Sequence, residues 1–237
     1  MTVAGVLLLA LFIGGRYQRL AVEVPQGWTD VPENDRRARA QRAIAVAERQ
    51  PVDWDELAKH RDAIDAHYRA KARGYGEALA DGRMGLGVYH RNMVDALREG
   101  HTTQRRLGQG PLSYDAEQRL TDTLNGQMGY LDEFVGQIGR GELSAAQIVD
   151  RSGRYGANGG LSYNAAIADA MADLADTEQR FLGGCNPHCQ PCLDYAAQGR
   201  VTIGTLPPPR VRCDCRERCC CKLEFYDLLG QSVGWIG

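Results

Sequence analysis

The chain has 237 residues, of which 43% are hydrophobic and 24% are charged, and its formal net charge is −2. This length is enough to bury a hydrophobic core, and the composition excludes a largely disordered chain. The nearly neutral charge excludes a protein that is drawn to nucleic acid by its overall charge. Aromatic residues make up only 7%, whereas alanine is abundant, which favours helices that pack closely through small side chains.

An uncharged apolar run at residues 3–13 stands near the N-terminus. As a helix it would span roughly 16 Å, about half of the hydrocarbon core of a bilayer, so it is short for a transmembrane anchor. Its leader also lacks the basic residue that a secretory signal peptide carries. We therefore predict that residues 1–32 are an apolar docking segment and linker, which packs on this chain or on a neighbouring subunit. Membrane insertion is the alternative.

Residues 33–184 are predicted to form a helical domain. The predicted helices cover residues 33–50, 54–80, 86–107 and 120–138, a segment that starts at Ser144, and a segment from Ser162 to Phe181. Apolar residues recur every three or four positions throughout the fourth of these, and Ser144 with Gln147 matches a capping box. Because no alternating strand pattern stands outside the Cys-rich segment that follows, the predicted fold class is mainly α: a multi-helix domain followed by a small Cys-rich zinc-knuckle module.

All eight cysteines lie within the predicted module at residues 185–226. Close-spaced thiols stand on either side of a loop that contains Pro207, Pro208 and Pro209. Two short thiol pairs joined by a loop are what a tetrahedral zinc site needs, since each pair covers one side of the ion. We therefore predict structural Zn²⁺ as the cofactor.

The spacing of the cysteines ranks the candidate ligands. Cys189 and Cys192 come first, because a two-residue spacer lets both sulfurs face one ion and Pro191 stiffens the turn. Cys219 and Cys221 are predicted as the second pair, because residues two apart point to the same side of an extended backbone. Cys215 is the reserve ligand. The remaining three are open between free thiols, ligands of a second site and disulfide partners, namely Cys185, Cys213 and Cys220.

Three other interpretations of the cysteines compete with structural zinc. A disulfide framework fits an even cysteine count, but it belongs to oxidising compartments, and adjacent cysteines fit poorly with independent bridges. A redox dithiol at Cys189 and Cys192 would require a thioredoxin-like fold, which nothing upstream indicates. Catalytic zinc would require an open coordination position and a nearby general base. The sequence has no GxSxG or HExxH signature, so we predict that the protein is not an enzyme.

Basic residues surround the cysteines, and acidic residues are interleaved with them. The basic residues are Arg200, Arg210, Arg212, Arg216, Arg218 and Lys222. A zinc ion with four thiolate ligands is net negative, so charge compensation is the favoured interpretation. Contact with packaged DNA or with an acidic partner surface is the alternative.

Residues 227–237 form a short apolar C-terminal tail, which we predict to be a second docking strip. Its apolar side chains are Leu228, Leu229, Val233, Trp235 and Ile236.

The order of these motifs resembles the minor head or head-morphogenesis proteins of tailed bacteriophages, the Mu F-like group. The similarity covers residues 115–226, about half of the chain. The motifs that carry it are GELSxxQI at 141–148, RYG at 154–156, CxxC at 189–192, GTLPPP at 204–209, and a final cysteine cluster that runs into KLEF at 222–225. The family's CxxC and terminal CxC can be matched to Cys189 with Cys192 and to Cys219 with Cys221. Residues 216–218 are Arg-Glu-Arg where the family tends to have His-Pro-Asn.

The resemblance implies a minor capsid protein, a structural virion protein that is made in the host cytoplasm and built into the phage head. Its expected partners are major capsid, portal or connector subunits, with packaged DNA as a possible contact. Two alternatives from other classes remain open. One is a zinc-ribbon nucleic-acid-binding protein, and the other is a membrane-active protein that is ejected with the genome and inserts residues 3–13.

Overall fold

A computed structural model describes residues 6–13, 16–23, 52–109, 114–172, 174–184, 187–215 and 218–237. The first two ranges are an antiparallel hairpin of β1 (Val6–Ile13) and β2 (Arg16–Glu23), in which Ile13 pairs with Arg16. The apolar run at 3–13 therefore contributes a strand and not a helix. The rest of the predicted docking segment and the predicted helix at 33–50 lie outside the described residues.

Among the described residues, five α-helices lie between the hairpin and the next strand. They are α1 (Trp54–Ala80), α2 (Leu86–Gln109), α3 (Tyr114–Gly139), α4 (Ala145–Gly156) and α5 (Gly160–Met171). Asp53 caps α1 by accepting a hydrogen bond from the backbone N–H of Glu56, and Ser144 and Gln147 form the predicted capping box of α4. The prediction of a mainly helical chain with a Cys-rich module is confirmed.

Helices α1 and α4 cross closely because glycines stand at the contact. A Cβ atom added at Gly156 would lie 2.2 Å from the backbone oxygen of Tyr68 in α1. One added at Gly76 would lie 2.7 Å from Oγ of Ser152 in α4. Only glycine allows the two backbones this approach. Beside the crossing, α1 to α4 bury an apolar core of Ala72, Tyr89, Met93, Leu97, Leu131 and Phe134.

A four-stranded antiparallel sheet follows α5. Its strands are β3 (Thr177–Phe181), β4 (Arg200–Thr202), β5 (Lys222–Tyr226) and β6 (Ser232–Ile236), in the spatial order β4-β3-β5-β6. A short helix, α6 (Gln190–Ala197), lies between β3 and β4. A second core joins α5 to the sheet through Tyr163, Ile167, Met171, Leu206, Leu223, Phe225 and Ile236.

The observed elements around this sheet differ from the predicted ones in two places. The helix predicted from Ser162 to Phe181 ends at Met171, and Thr177–Phe181 is a strand. The expectation that strands occur only in the Cys-rich module is therefore wrong for β3, as it is for the hairpin. The predicted C-terminal tail contains β6, whose Ile236 is buried in the second core. Among the helices that the structure describes, none has an apolar stretch long enough to cross a membrane.

Candidate metal centre

Six cysteines converge between α6, β5 and the loop that joins β4 to β5. Four of them form one group, Cys189, Cys192, Cys213 and Cys215, whose sulfurs all lie within 4.8 Å of one another. Three form a second group by the same measure, Cys192, Cys219 and Cys221. Cys192 belongs to both groups. Thiolates around one tetrahedral zinc are separated by roughly 3.8 Å, so the first group has the spacing of a metal site.

The start of α6 presents the first two sulfurs. Cys189 is the N-cap residue of the helix, Pro191 stands in its first turn, and Cys192 follows. Proline suits this position because the first turn leaves its backbone N–H groups without helical partners. The backbone N–H of Cys192 donates a hydrogen bond to the sulfur of Cys189. The helix end therefore presents both thiols, and this hydrogen bond favours the ionised form of Cys189.

The loop with three prolines presents the other two sulfurs of the first group. Two buried side chains of β3 hold its start. Glu178 accepts a hydrogen bond of 2.5 Å from the backbone N–H of Leu206, and Arg180 donates to the backbone oxygen of Pro207. Because these polar side chains point inward from alternate positions of β3, they fix the loop against the sheet.

The end of the same loop is held by the helices. Asn164 of α5 donates to the backbone oxygen of Pro209 at 2.9 Å, and Tyr195 of α6 donates to that of Arg212 at 3.3 Å. Between them, Arg210 has a φ of 73°, a left-handed conformation that is uncommon for a residue with a side chain. In this conformation its backbone N–H donates to sulfurs of the cluster, while its side chain forms an ion pair with Asp65.

Cys219 and Cys221 lie immediately before β5 and are buried. The sulfur of Cys219 is 3.9 Å from that of Cys192, close to the separation expected around one zinc ion. Cys220, which stands between Cys219 and Cys221 in the chain, is disulfide-bonded. Its backbone oxygen lies close to Gly183. A Cβ atom at Gly183 would lie 1.9 Å from that oxygen, so glycine is required for this segment to reach the cluster.

Hydrogen bonds between the thiols make them unequal. The Cys213 thiol donates to the sulfur of Cys219, and this bond is the main reason that the pKa of Cys219 falls to about 4. The same bond, with burial, raises the pKa of Cys213. Burial also raises the pKa of Cys192. At Cys189 burial acts in the same direction, but hydrogen bonds from Cys192 and Cys215 outweigh it and lower the pKa to about 7. A soft divalent cation stabilises ionised cysteines that lie next to other thiols.

An arginine-lined cleft of about 840 Å³ borders the first group. It is lined by Cys213 and Cys215 and by five arginines, namely Arg151, Arg154, Arg210, Arg212 and Arg218, with Glu133 and Asp214 as acidic members. Arg154 pairs with Asp150, and Arg151 donates to the side chain of Gln137 at 2.6 Å. Arg212 and Arg218 are exposed and lie beside the thiols. The cleft therefore carries positive charge next to the cysteine cluster.

The five predicted ligands all belong to the cluster, but they are distributed over both groups. Cys189 and Cys192 lie together, the reserve ligand Cys215 joins them, and Cys219 and Cys221 lie with Cys192 in the second group. The geometry adds Cys213 to the ligands that are predicted from the spacing. Its spacing of two from Cys215, directly after the prolines, is the sequence signal that could have identified it. Cys185 and Arg216 lie outside the described residues.

The cluster can hold a metal ion. Comparisons with family models, with curated proteins and with solved structures find no match to this chain.

Proposed function

We propose that this chain is a structural protein of a tailed-bacteriophage head, and that a zinc ion bound by Cys189, Cys192, Cys213 and Cys215 holds its C-terminal module in shape. The observation that carries the zinc site is the convergence of these four thiols within 4.8 Å. Four thiolates at tetrahedral spacing are the ligand set of structural zinc.

A structural role for the metal follows from the ligand set. Four thiolates fill the coordination sphere of zinc and leave no position for a substrate or an activated water. The ion would instead join α6 to the loop between β4 and β5, which are also linked by the hydrogen bond from Tyr195 to the backbone oxygen of Arg212. Metal binding then contributes directly to folding. We infer that the protein is not an enzyme.

The role in a phage head is supported by the resemblance over residues 115–226. Several of the motifs that carry this resemblance have structural tasks here. GELSxxQI contains the capping box of α4, and GTLPPP is the loop held by Glu178 and Arg180. GTLPPP leads directly to Cys213 and Cys215, so the resemblance and the candidate zinc site share this part of the chain. Localisation in the virion head and contacts with major capsid, portal or connector subunits belong to this proposal.

The zinc site is tested by elemental analysis of the purified full-length chain. We expect bound zinc in the wild type and a lower zinc content in Cys189→Ser and Cys215→Ser. Cys215→His is the matched control, because imidazole is also a zinc ligand and should retain the ion. A folded wild-type chain without zinc, after purification in the absence of chelators, would contradict the site.

The head protein is tested by co-expression with the major capsid and portal proteins of the phage whose genome encodes it. We expect the full-length chain to co-sediment with assembled heads on a density gradient. A chain that stays at the top of the gradient while heads form normally would contradict the role.

The arginine-lined cleft favours nucleic acid binding as a second candidate function. Five arginines beside the cluster can neutralise phosphates, and such binding weakens steeply with salt. Filter binding of double-stranded DNA at increasing salt tests it. Binding that falls steeply with salt and is reduced in Arg212→Ala and Arg218→Ala would favour this candidate, and no binding at low salt would eliminate it.

A further inference from the structure

Two thiols of the second group, Cys219 and Cys221, have no role in the four-thiolate site. Cys219 and Cys221 are buried, as is Cys192, which already belongs to the first group. Buried polarisable thiols in mutual contact are costly to ionise unless a cation or hydrogen-bond donors accompany them. One metal ion in the first group would leave two of these sulfurs unused at coordination spacing.

His188 lies beside the second group, although by the same 4.8 Å measure it is not a member of that group. Nδ1 of His188 lies 3.9 Å from the sulfur of Cys221. Nε2 of the same ring lies 3.1 Å from the backbone oxygen of Gly183. Because a carbonyl oxygen can only accept, Nε2 must carry the proton, and in the neutral ring Nδ1 then presents its lone pair towards Cys221. Donation of the distant ring N–H to a backbone carbonyl is the usual way in which a metal-ligating histidine is oriented.

We propose that the cluster is binuclear: a second zinc ion is bound by Cys192, Cys219, Cys221 and His188, and the thiolate of Cys192 bridges the two ions. The proposal deepens the zinc site proposed above and depends on it. Three thiolates with one imidazole are a common structural zinc ligand set. A thiolate sulfur has enough lone pairs to bind two ions, and Cys192 is the residue that belongs to both groups.

The surroundings suit two ions. Six thiolates outweigh the charge of two divalent cations, so the cluster keeps a net negative charge. The arginines of the adjacent cleft compensate this charge, with Arg212 and Arg218 exposed beside it. The single backbone N–H of Arg210 is shared between Cys213 and Cys219, so one hydrogen-bond donor serves both halves of the cluster.

Native mass spectrometry of the full-length chain with Zn²⁺ tests the number of ions. We expect two zinc ions in the wild type and one in Cys219→Ser, Cys221→Ser and His188→Gln. His188→Cys should retain two, because a thiolate replaces the imidazole. Loss of a residue that binds the second ion directly should lower the affinity for that ion by at least about 100-fold. Loss of a partner that only orients a ligand already lowers metal affinity 10–100-fold.

The outcomes separate this inference from the zinc site on which it depends. One ion in the folded wild type overturns the second site and leaves the first intact, whereas no ion overturns both. Two ions in His188→Gln with unchanged affinity overturn the assignment of His188.

The proposed bridge through Cys192 is tested by a separate measurement. This measurement uses the wild-type chain, so it does not depend on whether a variant folds. In the chain loaded with ¹¹³Cd²⁺, two NMR resonances that are split by coupling through a shared sulfur support Cys192 as the bridge. Two resonances without coupling overturn it.

Discussion

Arg210 and Asp65 form a buried ion pair that connects the cysteine loop to α1. Nη1 of Arg210 lies 3.3 Å from Oδ2 of Asp65, and their side chains are 15% and 12% exposed. Gln104 of α2 donates to the other carboxylate oxygen of Asp65 at 2.8 Å. One carboxylate therefore links two helices of the bundle to the residue whose N–H faces the thiols.

Removal of this ion pair should destabilise the protein more than removal of an exposed one. Arg210→Met removes the ion-pair partner of the largely buried Asp65 carboxylate and leaves Arg61 as the remaining nearby positive charge, which should lower the free energy of unfolding by about 3 kcal/mol. Arg154→Met is the control, because Arg154 pairs with Asp150 at an exposed position and should change stability by less than about 0.5 kcal/mol. Urea unfolding followed by circular dichroism measures both. Equal effects of the two substitutions would contradict a structural role for the buried pair.

Because α1 and α4 cross closely, we predict that one methyl group added at Gly156 lowers the stability of the fold by an unusually large amount. Gly156→Ala places Cβ against the backbone oxygen of Tyr68, and backbone cannot move aside as a flexible side chain can. We expect a loss of about 3 kcal/mol in thermal or urea unfolding. Gly74→Ala is the matched control in the interior of α1, where nothing lies within 4 Å of the added atom. It should stabilise the helix by up to about 1 kcal/mol. A neutral Gly156→Ala would show that the helices are not in contact there.

His101 predicts a loss of stability in acid. It is fully buried in α2, its Nδ1 lies 2.8 Å from Oγ of Ser162, and burial lowers its pKa from 6.5 to about 4. The folded state therefore binds its proton less readily than the unfolded state. The associated stability is complete above pH 6.5 and is lost as the pH falls towards 4. Between pH 7.5 and 5 the loss should be about 2 kcal/mol.

Comparison of variants isolates the contribution of this imidazole from other acid-sensitive groups, including the thiolates. His101→Gln should lose less stability than the wild type between the two pH values. His60→Gln, which removes an exposed imidazole of α1, controls for the loss of a histidine. Equal pH dependence of all three proteins in urea unfolding would show that His101 is protonated equally in both states.

Removal of metal should loosen the C-terminal module and leave the helical core intact. Chelation of the proposed zinc ion would release the link between α6 and the loop that follows β4, so we expect faster amide hydrogen exchange in that loop and in β5. The core helices α2 and α3 are packed through their own apolar residues and should keep their protection. Hydrogen exchange measured by mass spectrometry, with and without chelator, provides the comparison. Unchanged exchange at β5 would mean that the metal does not hold the module.

The helical half of the fold could be predicted from the sequence because its signals are local. The apolar period of α3 and the capping box at Ser144 lie within single segments, and both are present in the structure. Strand β3 was missed because Glu178 and Arg180 occupy its inward positions, where a strand normally has apolar residues. These two side chains are buried only because the backbone of the distant loop supplies their hydrogen-bond partners.

The grouping of the cysteines also depends on contacts between distant residues, which local sequence signals do not reveal. Spacing identified Cys189 with Cys192 as a pair, but it could not say which downstream thiols meet them. That choice depends on the left-handed backbone of Arg210 and on contacts of the loop with α5, α6 and β3, which join residues far apart in the chain. The continuous apolar run at Val6–Ile13 lacks alternation, so its strand was not distinguishable from a helix.

Sheet order has a consequence for synthesis on the ribosome. Strand β3 is flanked by β4, which follows it within about twenty residues, and by β5, which begins only at Lys222. After the helices of a nascent chain have left the ribosome, one edge of β3 therefore stays unpaired until nearly all of the protein has been translated. Such an open strand edge can pair with other chains.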